Sequence, residues 1–296
     1  MALKTLYKQS AALALFLCTL CSVAGCSDGS PSGYTEKGDL EFHITPGSLS
    51  GTGTRGQLFF AKGTASGKYT EKWKSTVDQD GRVLLDEPKY YPEDNSRVYL
   101  RGFFPEGKSF DKGKVHYQID GTQDLIASGE QSGCLTDVFL QKHKEFRFTH
   151  LLSQLRFKVS CDKDAIEKGW KLVNLYVERT QSEVALSLAD KELIFSGEKG
   201  TMEVPVEPTP LAETWTDLSG RVLVQPGVRI FLTAVIADSG GRKTRLEYLP
   251  VTLEGGNTPV GGTSYLISLM LGAKGTSILT GGIAEWVQGG NGSTVL

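Results

Sequence analysis

The stretch Gly38–Gly56, GDLEFHITPGSLSGTGTRG, decides how the rest of the chain is interpreted. In its first half Leu40, Phe42 and Ile44 alternate with polar residues, and this period of two predicts a half-buried β-strand. Its second half is rich in Gly, Ser and Thr and carries one arginine, Arg55, which predicts an accessible loop. A strand joined to the body by a loop that a protease can reach is a strand that can be removed.

Composition limits the possible classes of protein. The chain has 296 residues, of which 39% are hydrophobic and 35 are glycine, and this suits a protein built from many short strands and turns. The formal net charge is −2, and Lys and Arg are scattered. Nothing in this pattern would follow a phosphate backbone, so nucleic acid is not expected as a partner.

The N-terminus has the pattern of a targeting signal. Lys4 and Lys8 precede an apolar stretch at 11–20 that is too short to span a bilayer. The tetrapeptide that ends at Cys26, Val-Ala-Gly-Cys, resembles a bacterial lipobox, in which the peptide is cut before the cysteine and the thiol is acylated. An ordinary secretory cleavage site beside an incidental cysteine is the alternative. The predicted segments are a signal peptide at 1–25 and a linker at 26–37.

The five cysteines divide by position. Cys18 and Cys21 leave with the signal peptide, and Cys26 is the predicted site of lipid attachment. Cys134 and Cys161 remain. An exported protein can form disulfides, so these two are either bonded to each other or buried as thiols.

Short β-prone runs separated by turn residues continue to the C-terminus and predict about fifteen strands. The turn at 78–81 predicts a hairpin, 146–160 is a long β-prone run, 135–141 reads as a strand or turn, and 164–168 is the one short helical candidate. This number of strands is too large for one small sandwich. We therefore predict an all-β protein of two stacked β-sandwich domains, at 38–149 and 150–296.

Two sequence patterns resemble known cofactor or metal sites, but the residues around them do not fit such sites. Gly51–Gly56 matches G-x-G-x-x-G but lacks the helix that a dinucleotide site requires. Thr76–Glu87 resembles a calcium loop, but Thr76 replaces the first aspartate and prolines follow where a helix should run. His150 is expected to be packed and hydrogen-bonded. We therefore expect no enzyme activity, no cofactor and no metal. An aromatic group in the first half fits a core better than a sugar platform: Trp73, Tyr90, Tyr91, Phe103 and Phe104.

Several motifs, taken in order, resemble one known family. They are the lipobox, the alternating strand, the Thr-Arg loop, Tyr90-Tyr91-Pro92, Phe103-Phe104-Pro105-Glu106-Gly107, the run Phe148–Val159, Tyr265-x-Ile267-x-Leu269 and Trp286. The chain resembles the fimbrillin (Mfa-like) proteins of Bacteroidales, which build type V pili. Tyr91 stands where that family often has Trp.

This resemblance implies two transthyretin-like Greek-key sandwiches without catalysis. It also implies export to the outer membrane as a lipoprotein, followed by a cut in the loop after the first strand by an arginine-specific protease. Other pilus subunits then fill the groove by donor-strand exchange. On this chain the cut falls between Arg55 and Gly56, and the lipid at Cys26 leaves with the removed strand.

Three functional classes remain open from the sequence. The first is a structural subunit of a cell-surface fimbria that contributes to adhesion. The second is a surface lipoprotein that does not polymerise and serves as a pilus anchor or binds a glycan or host protein. An enzyme is the third. The donor segment also stays open, between the tail after Trp286 and a strand within Ile278–Leu296.

Overall fold

The computed structural model describes residues 38–45, 49, 56–78, 80–141, 143–273 and 277–286. Within these residues the chain forms twenty strands and one short helix, and the predicted all-β class is confirmed. No helix in this part of the chain is long and apolar enough to cross a bilayer. The elements are β1 (Gly56–Ala65), β2 (Lys68–Val77), β3 (Val83–Leu85), β4 (Val98–Phe104), β5 (Ser109–Asp111), β6 (Lys114–Gln118), β7 (Ile126–Gly133), β8 (Phe148–His150), β9 (Ser153–Cys161), α1 (Lys163–Glu167), β10 (Lys171–Thr180), β11 (Glu183–Ser187), β12 (Glu192–Ser196), β13 (Gly200–Val204), β14 (Thr209–Pro210), β15 (Thr216–Val224), β16 (Phe231–Ala237), β17 (Lys243–Pro250), β18 (Thr252–Leu253), β19 (Ser264–Leu271) and β20 (Ser277–Ala284).

The first sandwich is organised around a six-stranded antiparallel sheet with the order β3-β2-β1-β4-β7-β8. Successive residues of β1 point to opposite faces, as a strand requires. Leu58 and Phe60 belong to one core cluster, and Phe59 and Ala61 belong to another. The sheet is therefore buried on both faces and forms a middle layer.

A four-stranded sheet with the order β12-β11-β6-β5 covers one of these faces. The hairpin β11–β12 pairs with β6 from Glu183 opposite Gln118 to Ser187 opposite Lys114. Leu186 of this hairpin is fully buried in the cluster that holds Phe59. The hairpin comes from the part of the chain after residue 150, yet it packs in the first sandwich. The division of the chain near residue 150 stays a prediction.

The second sandwich joins two five-stranded sheets. One has the order β15-β9-β19-β20-β18. The other has the order β13-β10-β16-β17, and β14 also pairs with β10. Strand β19 runs parallel to β9 and antiparallel to β20. Leu155, Phe157 and Val159 of β9 all point into the core of this sandwich, so their predicted alternation is confirmed.

The β-prone run at 146–160 is divided between the two sandwiches. Its first part is β8, at the edge of the six-stranded sheet, and its second part is β9, inside the second sandwich. The break falls at Leu151 and Leu152, where the Leu151 amide donates to the Leu125 carbonyl and the Leu152 side chain is fully buried in the first sandwich. The β-prone run therefore forms two strands, one in each sandwich.

Local predictions with short-range causes are confirmed. The predicted hairpin exists as β2 and β3, and α1 lies within one residue of the predicted helix. The Asp162 carboxylate accepts a hydrogen bond from the Ala165 amide at 2.9 Å and caps this helix. Residues 135–141 form turns rather than a strand. Cys134 and Cys161 are both buried and free, which is the thiol alternative.

Candidate functional site

The segment Gly38–Thr45, which we call the leading segment, lies between two other parts of the chain. It forms isolated bridges rather than the regular strand that its alternation predicts. Asp39 bridges antiparallel to Tyr90, His43 bridges antiparallel to Arg82, and Ile44 bridges parallel to Phe146. Backbone hydrogen bonds therefore hold it on both sides. They join Leu40 N to Lys89 O (2.8 Å), Tyr91 N to Gly38 O (3.1 Å), Val83 N to Phe42 O (3.0 Å), Ile44 N to Gly81 O (2.9 Å), Phe146 N to His43 O (3.1 Å) and Thr45 N to Phe146 O (3.0 Å).

Gly81 allows this close approach. It has a φ of 82°, in the left-handed region that favours glycine. A Cβ at this position would lie 3.1 Å from the Ile44 carbonyl oxygen. The turn between β2 and β3 is therefore shaped so that its backbone can meet the leading segment.

The apolar side chains of the leading segment are buried as its sequence predicts. Leu40 and Ile44 are 5% exposed, and Phe42 is 0% exposed. The Phe42 ring lies edge-on to Phe60 at 4.7 Å between centroids and also contacts Phe146 at 5.1 Å. Phe42 is thus the central anchor of the segment.

The slot beneath the leading segment has a floor made of the second face of the six-stranded sheet. Every residue that forms this floor lies at or after Gly56. Its buried side chains are Leu58, Phe60, Trp73, Leu100, Ile126 and Phe148. The slot is thus built by the chain that would remain after a cut at Arg55.

Two rings form the far wall of the slot. Phe139 lies 6.0 Å from Phe42, and Tyr91 stacks on Phe139 at 5.9 Å. The Phe139 amide donates to the Tyr91 hydroxyl at 2.7 Å, and burial raises the pKa of Tyr91 to about 12. This hydrogen bond fixes the wall, because a buried amide without an acceptor is costly.

A partly buried ion pair lies in the loop that carries Phe139. The Lys144 ammonium is largely buried and contacts the Asp137 carboxylate at 2.6 Å and the Asp137 carbonyl oxygen at 2.9 Å. Arg97 lies 2.8 Å from the other carboxylate oxygen. The Lys144 ammonium makes the largest contribution to lowering the pKa of Asp137 below its ordinary value, and Arg97 makes the second largest.

Ionic contacts contribute little to the seating of the leading segment itself. Glu41 pairs with Arg82, and both side chains are more than one third exposed. An exposed pair of this kind adds at most about 1 kcal/mol. Apolar burial and backbone hydrogen bonds therefore hold the segment in place.

The predicted site residues have different outcomes. Leu40, Phe42 and Ile44 lie together in one slot. Gly56 is the first residue of β1 and pairs with Val77. Cys26 and Arg55 lie outside the described residues. A cut just before Gly56 would thus leave β1 complete.

Sequence reasoning missed the residues that complete the slot. Phe139 and Phe146 come from regions about 100 residues downstream of Phe42, and only a pairing register could have identified them. The ion pair of Asp137 and Lys144 had no sequence signal, since isolated charges in a polar stretch usually lie on the surface.

The other motifs have structural roles. Gly56 begins a strand rather than a helix, which removes the context for a dinucleotide site. The calcium-like stretch is the β2–β3 hairpin, where the Asp78 carboxylate accepts from the amides of Asp80 and Arg82. His150 is packed as predicted, since it lies 2.7 Å from Asp124 and stacks on Trp286 at 4.0 Å.

The aromatic group predicted from the first half lies mainly in the core. Trp73, Tyr91, Phe103 and Phe104 are buried, whereas Tyr90 is 48% exposed. Of the two uses weighed for these rings, the sandwich core is confirmed for four of the five. Among the described residues, no group of His, Cys, Asp and Glu could hold a metal ion.

By its fold and its slot, the chain is a two-sandwich β-protein in which an N-terminal segment closes the first sandwich. The fimbrillin-like family model matches residues 50–286, most of the chain. The chain belongs to this fimbrillin-like family, and the resemblance found in its motifs is confirmed. A search of functionally curated proteins found no match.

Solved structures share the fold at low identity. A candidate cell adhesion protein from Bacteroides uniformis has 15% identity and a TM-score of 0.57, over 84% of this chain and 98% of its own. A fimbrial protein from Bacteroides vulgatus has 11% identity and a TM-score of 0.51, over 84% of this chain and 99% of its own. A candidate cell adhesion protein from Bacteroides ovatus has 10% identity and a TM-score of 0.51, over 87% of this chain and 100% of its own. These likenesses show the fold alone.

Proposed function

We propose that this protein is a structural subunit of a type V fimbria that contributes to cell adhesion. The observation that carries the proposal is the slot of the leading segment, whose floor and far wall belong entirely to the chain after residue 55. The subunit is exported as a lipoprotein, held at the outer membrane through Cys26, and has no enzymatic role. Family membership and the fold neighbours support this assignment.

Assembly follows from removal of the leading segment. An arginine-specific protease cuts after Arg55, and the lipid leaves with the removed residues. Loss of Leu40, Phe42 and Ile44 exposes apolar surface worth about 5–9 kcal/mol, at about 1.5–3 kcal/mol for each side chain. It also leaves backbone groups on both sides of the slot without partners, which is an edge prone to association.

A strand from a neighbouring subunit recovers both contributions. An extended segment with apolar residues at alternate positions restores the backbone hydrogen bonds and refills the slot, which is the β-augmentation mode of binding. Cutting and assembly are thereby coupled, because an empty slot is unfavourable in water.

The donor segment is proposed to lie within Ile278–Leu296. Strand β20 is paired on both sides, antiparallel to β19 and parallel to β18. Donation by β20 therefore requires that it leave its own sheet, whereas residues 287–296 lie outside the described part of the chain. Ile278 and Ile283 are 61% and 65% exposed, so β20 already presents apolar side chains to solvent.

The test is the N-terminal residue and mass of the protein recovered from the cell surface. We expect a chain that begins at Gly56, carries no lipid and forms a ladder of higher masses. Arg55→Ala should keep acylated Cys26 and abolish the ladder. Arg242→Ala removes an exposed arginine from the second sandwich and serves as the matched control.

The opposite result supports the second function. A wild-type chain that still begins at acylated Cys26 and stays monomeric would contradict strand exchange. It would instead favour a non-polymerising surface lipoprotein, either a pilus anchor or a binding module.

A further inference from the structure

One end of the sheet β13-β10-β16-β17 carries arginine side chains stacked on aromatic rings. We call Arg179, Arg229, Phe231 and Tyr248 the Arg–aromatic cluster. The Arg179 guanidinium lies 4.8 Å from the Phe231 ring centroid and 5.6 Å from that of Tyr248. The Arg229 guanidinium lies 5.7 Å from the Phe231 centroid. None of these side chains belongs to the core or to the slot of the leading segment.

The backbone is specially shaped to form this cluster. Arg179 has a φ of 59° and Tyr248 a φ of 51°, and bulky residues rarely adopt such angles. Both lie at register shifts, in β10 opposite β13 and in β17 opposite β16. Such bulges aim side chains away from the regular pleat and often lie beside functional sites. Here two bulges bring the residues at their centres together, since the Arg179 guanidinium of one lies over the Tyr248 ring of the other.

The charges of the cluster are available for a ligand. The acidic residues that precede Arg179 and Tyr248 in the sequence, Glu178 and Glu247, both pair with Arg245, at 3.4 and 2.8 Å. Among the described residues, neither Arg179 nor Arg229 forms an ion pair. A planar guanidinium with free N–H donors is complementary to a carboxylate.

We propose that the Arg–aromatic cluster binds an acidic glycan, through a sugar that bears a carboxylate. Arg179 and Arg229 pair with the carboxylate. Tyr248 is 52% exposed and offers a ring face on which the apolar face of the sugar packs. The proposal deepens the adhesive part of the proposed function but does not depend on strand exchange.

The bulge at Tyr248 favours a glycan over an extended peptide. Strand β17 is an edge of its sheet, and a peptide could add there only through a regular row of backbone donors and acceptors. The bulge interrupts that row, because the Tyr248 amide donates a hydrogen bond to the Thr233 hydroxyl at 3.3 Å. Side-chain recognition of a ligand therefore fits this edge better than strand addition.

The cluster is open to solvent rather than enclosed, so a single copy is expected to bind weakly. Ligand sites of high affinity are usually concave and bury most of the ligand. A fimbria would repeat the cluster once per subunit, and this repetition raises avidity without new contacts.

The test uses the full mature chain with Arg55→Ala, which keeps the leading segment and the monomer. Sialyllactose is the acidic probe, and lactose is the same glycan without its acidic sugar. We expect saturable binding of sialyllactose and none of lactose. Arg179→Gln and Tyr248→Ala should each weaken binding at least tenfold, and Arg229→Gln, which lies outside both bulges, covers the case in which either variant fails to fold.

Arg242→Gln is the matched control, because it removes the same charge from an 84% exposed residue in the β16–β17 connection. It should leave binding unchanged. Equal binding of lactose, equal loss in the control, or wild-type binding by the Arg229 variant would overturn the proposal. Binding of a glutamate-rich peptide as tight as that of sialyllactose would also overturn it.

Discussion

Phe42→Ala is the sharpest test of how the leading segment is held. The Phe42 ring is 0% exposed and lies within 4.7 to 6.0 Å of three other rings. Truncating a buried Phe typically costs about 3–5 kcal/mol, because the transfer free energy is lost and a cavity remains. We expect a loss of about 3–5 kcal/mol in the free energy of unfolding.

The assay is urea unfolding of the uncut chain, which carries Arg55→Ala in every variant. His43→Ala is the matched control, since His43 is the neighbouring residue, is only half-buried and accepts the Phe146 amide through its backbone carbonyl. It should cost less than about 1 kcal/mol. Hydrogen exchange of the Val83 amide supplies a local measurement, because this amide donates to the Phe42 carbonyl at 3.0 Å.

The two measurements separate local release from global unfolding. If the leading segment lifts off by itself, exchange at Val83 accelerates before the rest of the sheet opens. The reasoning is refuted if Phe42→Ala stays within about 1 kcal/mol of the His43→Ala control and the protection of Val83 is unchanged. Such a result would mean that Phe42 is not the anchor of the segment.

Four further predictions concern the wall of the slot, the loop that carries Phe139 and the hairpin β11–β12. Tyr91→Phe leaves a buried amide without its acceptor and should cost about 1–3 kcal/mol in urea unfolding, whereas Tyr90→Phe on the exposed neighbour should cost less than about 0.5 kcal/mol. Because burial raises the pKa of Tyr91 from 10 to about 12, its contribution is complete below pH 10 and is lost as the pH rises toward 12, and Tyr91→Phe should remove that part of the alkaline unfolding curve. The Lys144 ammonium lowers the pKa of Asp137 from 3.8, so this carboxylate stabilises the fold above that pH and loses its effect as the pH falls further; Asp137→Asn should flatten the acid side of a plot of urea midpoint against pH. Leu186→Ala should cost about 2–5 kcal/mol and should lower hydrogen-exchange protection in β6, although residue 186 lies in the second half of the chain.

Each of these predictions has a result that contradicts it. Equal stability of the two tyrosine variants would show that the hydrogen bond to the wall contributes nothing. If the urea midpoint of Asp137→Asn falls at low pH as steeply as that of the wild type, another carboxylate governs acid unfolding. Normal protection of β6 in Leu186→Ala would contradict the view that the hairpin belongs to the first core.

Features with local causes were predictable from the sequence. The burial of Leu40, Phe42 and Ile44 follows from alternation alone, since one buried face fixes every second residue. The β2–β3 hairpin and the short helix have turn and capping residues within a few positions. In each case the residues that determine the structure lie next to one another in the chain.

Features that depend on distant pairing were not predictable. Phe139 and Phe146 meet Phe42 only because the chain returns to the slot after β7. Strand β7 was itself missed, because Ile126–Gly133 is polar along most of its length and becomes a strand through its neighbours β4 and β8. Tertiary context overrides local propensity in such cases.

The Arg–aromatic cluster has a similar origin. Arg179 and Phe231 are 52 positions apart in the sequence, and only the register of β10 with β16 brings them together. A single sequence has no signal for the two bulges, since neither Arg179 nor Tyr248 is a residue that usually adopts a positive φ.

The hairpin β11–β12 also has a mechanical consequence. The chain passes from the first sandwich to the second after β8, returns at β11 to pair with β6, and leaves again for β13. The two sandwiches are therefore joined by three covalent connections instead of one tether. In the proposed fimbria, a pulling force would be shared among these three connections, and the subunit would resist stretching until the hairpin itself is pulled off β6.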